Sequence, residues 1–260
     1  MDFDCVVVAG GRSSRLGGHA KSTLTVAGRS LLQLTLDAAA DARQTVVVGD
    51  TVALSSPEVA AGAMPAGVIF VREEPAFGGP AAAIAAGLAA LGSSHRAPAE
   101  FTLVLACDMP NIASAVRVLL KEGASREKQQ HDGVIAVDES GHPQHLAGLY
   151  RTRALTDAIE GTQSPATLRD QSTLRDQSTR RGQSTPSGQS RLDGLPVRKL
   201  LAPLTLRHVT VAAGATDDVD TWADAERLHV DAVLPPPSRL SPDSPGAPAA
   251  LAHHPRGEDR

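Results

Sequence analysis

Short apolar runs punctuate the first 140 residues: CVVVA (5–9), TVVVG (45–49), GVIFV (67–71), FTLVLA (101–106) and GVIAV (133–137). Each is apolar at consecutive positions instead of every second one, the pattern of strands covered on both faces. Between them, SLLQLTLDAAADA (30–42), GPAAAIAAGLAALG (79–92) and NIASAVRVLLKEG (111–123) carry helical periodicity. The second opens with Pro80 in its first turn and closes near Gly92, the asymmetry expected of helix ends. Strand–helix–strand alternation predicts an α/β fold, a doubly wound and largely parallel Rossmann-like sheet. DGVIAVDESGHPQHLAGLYR (132–151) breaks the rhythm: two strands joined by a turn at Glu139–Gly141 predict one antiparallel element. The alanine stripe of 81–90 reads as close helix–sheet packing.

A second change comes after Gly161. LRDQST occurs twice in succession (168–173 and 174–179), and Gln-Ser recurs at 171, 177, 183 and 189. A six-residue period suits a β-helix only when every turn supplies an aliphatic residue, and RRGQST and PSGQSR supply none. The expectation is one domain over 1–232, interrupted by a low-complexity, disordered insert at 162–193 and followed by a disordered Pro/Ser/Ala-rich tail at 233–260.

Composition narrows the partners. The chain is 42% hydrophobic but only 2% aromatic, so its core has to be built from Val, Leu, Ile and Ala. A formal charge of −4 offers no basic footprint for nucleic acid. Cys5 and Cys107 form no CxxC pair and read as reduced thiols near buried strands. The N-terminus runs into a strand without a charged leader, and no apolar segment approaches the roughly 18 residues of a membrane helix. A cytoplasmic monomer or small homo-oligomer without membrane contact is expected.

The first strand leads into VVVAGGRSSRLGGHAK (6–21), which has the ingredients of a phosphate loop. It is not a Walker A motif, because Ala20 and Arg15 stand where glycines are needed, and it is not G-x-G-x-x-G, because Gly10 is followed by Gly11 and Arg12. What remains is a Gly-Gly turn, two flexible cations, a second Gly pair at 17–18 and Lys21. Glycines let backbone N–H groups approach phosphate, and Arg15 and Lys21 can neutralise it. Asp108 closes the 101–106 run, so its carboxylate is expected at the carboxyl edge of the sheet, where a hard oxygen donor suits Mg²⁺; it reads alternatively as a helix cap near Asn111. Asp218 and Asp220 read equally as a second ligand or as caps of the following helix. His142 and His145 flank Pro143-Gln144, either on the substrate side or as exposed turn histidines.

VAGGRSSRLGG-x-x-K resembles the signature of the small nucleotidyltransferases, most closely the molybdenum cofactor guanylyltransferases. The resemblance continues through REEPAFGGPAAAIAAGL, VLACDMP, GHPQHLAGLYR and DDVDTWADAERL, in the family's order, over about residues 1–160 and 194–230. It implies that Val8, Ala9, Gly10, Gly11 and Lys21 bind a nucleotide, with Arg15 on its phosphates. It implies Asp108 as the Mg²⁺ ligand, and Arg15, Lys21 and Asp108 as the catalytic set. Glu74 takes the position of a nucleotide-contacting Asp, and Gly49 stands where guanylyl members often carry an Asn near the base. Ala20 replaces the Asp that usually precedes the lysine, and DDVDT replaces Asn-x-Asn-Thr. The implied reaction is Mg²⁺-dependent transfer of GMP from GTP to the phosphate of molybdopterin, releasing pyrophosphate. Gly10 favours guanine over cytosine, since cytidylyl members tend to have Ala there. Alternatives are cytidylyl transfer, transfer to another small phosphorylated acceptor, or a non-catalytic nucleotide-binding homologue.

Overall fold

The computed structural model describes residues 1–11, 16, 21–50, 67–125, 131–164 and 191–232. The consecutive apolar runs become β1 (Phe3–Val8), β4 (Thr45–Val48), β5 (Val68–Val71), β6 (Phe101–Ala106) and β7 (Gly133–Val137). β2 (Thr25–Val26) and β3 (Arg29–Ser30) form a small separate ribbon. β8 (Pro143–Arg151) and β9 (Leu206–Thr210) complete a sheet in the order β5-β4-β1-β6-β8-β7-β9. Every neighbouring pair is parallel except those involving β8, which runs antiparallel to both β6 and β7. This is the expected largely parallel α/β sheet with one antiparallel element. Chain order reverses direction at β1, between β4 and β6, which opens a crevice at the carboxyl ends of these strands.

Helices cover both faces. α1 (Leu31–Ala38) and α3 (Ile112–Gly123) contribute to the core that takes in Cys5, Val7, Leu103 and Leu105. α2 (Pro80–Gly92), α4 (Thr152–Gln163) and α5 (Val197–Leu200) pack with Val6, Val8, Val104 and Tyr150 on the other face. Burial of alternate strand residues on opposite faces is why the runs show no alternation. The small side chains of α2 let it lie close: a Cβ on Gly87 would stand 2.5 Å from Val6 Cγ1. Both cysteines are buried and free.

A third, smaller cluster joins distant parts of the chain. Leu16, Leu24 and Leu31 pack with Val219, Ala225 and Val230, the last two in and just after α6 (Trp222–Arg227). Thr25 and Asp231 exchange backbone hydrogen bonds of 2.8 and 2.7 Å. The C-terminal part of the domain is thereby clamped onto the segment that follows the first strand.

The domain boundaries differ in detail from those expected. Thr162 and Gln163 complete α4 instead of opening the insert, and Leu192 is buried in the α2–α4 core. The repeats between these points, and the tail from 233, lie outside the described residues. No described helix is long and apolar enough to cross a membrane.

Candidate active site

Beyond the carboxyl ends of β1, β4, β5 and β6 lies a cavity of about 720 Å³. Its floor is Val8, Ala9, Gly10 and Gly11, leaving β1, with Ala106, Cys107 and Asp108, leaving β6. The two strand ends are held level by Cys107 N–H donating to the Val8 carbonyl at 3.1 Å. Gly11 has φ 151°, a conformation that a side chain would strain. Cys107 is buried, which pushes its thiol up and keeps it protonated.

Lys21 starts a short 3-10 turn and reaches across to this floor. Its Nζ donates to Asp108 Oδ2 at 2.8 Å and to Asp220 Oδ1. Burial works against the ammonium, but the two carboxylates outweigh it and hold its pKa above the usual lysine range. The clamp described above accounts for this meeting of residues 21 and 220, as does the Val219 N–H, which donates to the Asp108 carbonyl at 3.0 Å.

Asp108, Asp218 and Asp220 each place one carboxylate oxygen within 4.8 Å of the others. Burial, then the neighbouring Asp108 and Asp220 charges, push the Asp218 carboxyl up. Capping does not explain these residues. Asn111 is the N-cap of α3 and makes no side-chain cap bond, while α6 is capped by Thr221 in a reciprocal box with Asp224. Three hard oxygen donors fit a Mg²⁺ ion, which typically takes one or two carboxylates and completes its shell with water and substrate phosphates.

On the opposite wall the carboxylate differs from the one expected. β5 ends at Val71, and it is Glu73 that turns inward, 5% exposed, while Glu74 is exposed and does not line the cavity. Glu73 Oε1 accepts from the Phe77 N–H at 3.1 Å; its buried Oε2 has no hydrogen-bond partner among the described residues. A buried carboxylate oxygen left unpaired is costly, so its place at the wall favours a donor supplied by a ligand. Arg72 lies over the Phe77 ring at 5.6 Å, and both line the cavity.

Gly49 also departs from expectation. A Cβ there would stand 2.8 Å from the Ala9 carbonyl oxygen, so the glycine lets the β4 end pack against the backbone of the first loop. It supports Ala9 and Gly10 from behind, and its neighbour Asp50 faces the cavity. Arg15 lies outside the described residues. Val8, Ala9, Gly10, Gly11, Lys21 and Asp108 therefore converge, Glu74 and Gly49 do not line the space, and Ser22, Asp50, Arg72, Glu73, Phe77 and Leu146 join unforeseen.

The MobA-like NTP transferase domain matches residues 5–180, more than half of the chain. The chain belongs to that family. It is a nucleotidyltransferase, and the cavity is where its Gly10–Gly11 turn, Lys21 and Asp108 come together. Its relatives include a protein of Nostoc sp. named "Probable molybdenum cofactor guanylyltransferase", 33% identical over 160 residues, or 61% of this chain and 70% of that one. A molybdenum cofactor guanylyltransferase of Rhodopseudomonas palustris is 34% identical over 153 residues, 58% of this chain and 68% of its own. Among solved structures, molybdopterin-guanine dinucleotide biosynthesis protein A of Archaeoglobus fulgidus superposes with a TM-score of 0.56 at 20% identity. That superposition spans 86% of this chain and 96% of the other, and shows a shared fold.

Proposed function

We propose that this nucleotidyltransferase moves GMP from GTP to the phosphate of molybdopterin, releasing pyrophosphate, with Mg²⁺. The observation that carries the reading is the convergence of the Gly10–Gly11 turn, Lys21 and Asp108 at one end of a cavity large enough for a nucleotide. The guanylyltransferase names of the two relatives support the choice of GTP and of the acceptor.

In this reading the triphosphate lies along the first loop, whose backbone N–H groups donate to its oxygens, and Lys21 turns from its carboxylates to the phosphates. Arg15 adds a second cation. Asp108, with Asp218 or Asp220, would hold Mg²⁺, whose contribution is to neutralise phosphate charge and align it. The base lies toward Asp50 and Phe77, and Glu73 Oε2 accepts from a donor of the nucleoside. The protein's work is then to position two phosphates and to offset their repulsion.

The test is pyrophosphate release from each of the four nucleoside triphosphates, with and without molybdopterin. Release that requires both GTP and molybdopterin is the expected outcome. Preference for CTP would indicate cytidylyl transfer, and GTP binding without release under any condition would indicate a non-catalytic homologue.

A further inference from the structure

Phe77 is exposed where burial is the ordinary fate of a phenylalanine. Met1, Phe77 and Trp222 are the exposed large apolar side chains among the described residues, and of these Phe77 lines the cavity. In a chain only 2% aromatic, a ring left 48% exposed is lost to the core. Its backbone is strained as well. The φ angle is 63°, in the left-handed region, which a bulky residue rarely enters and keeps only where its surroundings impose it.

The surroundings do impose it. Glu73 Oε1 accepts from the Phe77 N–H at 3.1 Å, and that carboxylate is itself buried. The Gly78 N–H donates to the Pro75 carbonyl at 3.0 Å, closing the turn that carries the ring. Gly78 packs onto the first turn of α2, where a Cβ on it would stand 3.0 Å from that of Ala82. Arg72 lies 5.6 Å from the ring centroid, a cation–π contact that steadies the ring at the cavity wall. Glu73 also borders the first loop, since a Cβ on Gly10 would stand 3.6 Å from Oε1. One buried carboxylate thereby joins the segment that carries the ring to the turn that receives the phosphates in the reading above.

We propose that Phe77 is a stacking shelf for the nucleobase, that Glu73 is its positioning residue, and that the shelf favours purines over pyrimidines. This rests on the nucleotide reading above and deepens it by assigning the contact that selects the base by size. Stacking on an aromatic face is blind to exocyclic groups but grows with the overlap of the rings, and two fused rings overlap Phe77 more than one does. The choice between guanine and adenine is left to the polar groups of the wall. The strained backbone fits this role, because a ring fixed before the base arrives loses little freedom when the base binds.

Proton NMR of GTP with Mg²⁺ and the protein, without acceptor, reads the shelf directly. No other aromatic residue lines the cavity among the described residues. The guanine H8 signal should therefore move upfield on binding, through the ring current of Phe77, and this displacement should vanish in Phe77→Leu. Glu73→Ala should lose it too, and Glu73→Gln, which keeps an acceptor for the Phe77 N–H, should recover it. By calorimetry, Phe77→Leu should weaken GTP and ATP by about tenfold, CTP by less and inorganic tripolyphosphate not at all, and Phe77→Trp should restore GTP. A wild-type H8 signal that does not move upfield, undiminished GTP affinity in Phe77→Leu, or an equal loss of tripolyphosphate overturns the shelf. A displacement that survives Glu73→Ala removes Glu73 from it. Pyrophosphate release that still requires GTP and molybdopterin leaves the transferase reading standing in each of those cases. A displaced H8 signal in a protein that never releases pyrophosphate sustains the shelf and overturns the transferase reading.

Discussion

Asp108 is the residue on which the proposed chemistry turns. Asp108→Asn keeps the shape of the side chain and removes its charge. A structural aspartate at a strand end tolerates that exchange, whereas a metal ligand does not, because an amide is a poor donor for Mg²⁺. The expected result is pyrophosphate release reduced by about 10² or more with the melting temperature little changed, since Lys21 keeps Asp220 as a charged partner and the amide oxygen of Asn can still accept from it. Steady-state kinetics and thermal unfolding check it; undiminished turnover would remove Asp108 from the site. Asp108 and Lys21 were legible in the sequence because a strand end and a glycine loop point in known directions. Glu73 was not, because neighbouring carboxylates are told apart only by where β5 stops, two residues earlier. Gly49 was misread for a related reason: its role is the missing Cβ beside the Ala9 carbonyl, which has no counterpart in a motif.

Among elements, α6 matters out of proportion to its length. Its cap, Thr221, follows Asp220 directly, and the Thr221 hydroxyl accepts from the Asp224 N–H at 3.2 Å. Ala225, inside the helix, is buried in the cluster with Leu16 and Leu24. Thr221→Ala should cost about 1 kcal/mol, read by denaturant unfolding. If the cap also sets the position of Asp220, metal-dependent turnover should fall in addition; a stability loss without any kinetic effect would separate the cap from the site. The buried strands were plain in the sequence, since covering on both faces leaves only apolar positions. β9 was less so. It is an edge strand, half-exposed along its length, and mixes Leu206 and Val209 with Arg207 and His208. Strand order was beyond reach as well: the antiparallel pairing of β7 and β8 was visible in their turn, but the insertion of β8 between β6 and β7 depends on contacts between distant segments.

At the scale of the molecule, the described residues on either side of the repeats touch: Arg191 Nη1 donates to the Ser164 carbonyl. The repeats between them are therefore closed at their base by the fold itself. If the repeats carry no structure of their own, as their composition predicts, replacing 165–190 with about six Gly/Ser residues shortens the loop and adds roughly 1 kcal/mol of stability through closure entropy. Calorimetry should show a melting temperature unchanged or slightly raised; a collapse of the fold would make the repeats structural. Leu192 has to stay, because it is 2% exposed in the core, and the sequence understated it by setting one leucine within a polar tract. The return has a further consequence. Just past Leu192, the Gly194 N–H donates to the Gly78 carbonyl at 2.8 Å, and Gly79 lines the cavity. The junction of the repeats is thus tied by one backbone hydrogen bond to the turn that leads into the wall beside Glu73 and Phe77, and an environment-sensitive dye on residue 191 is expected to turn the arrival of a nucleotide into a change of light.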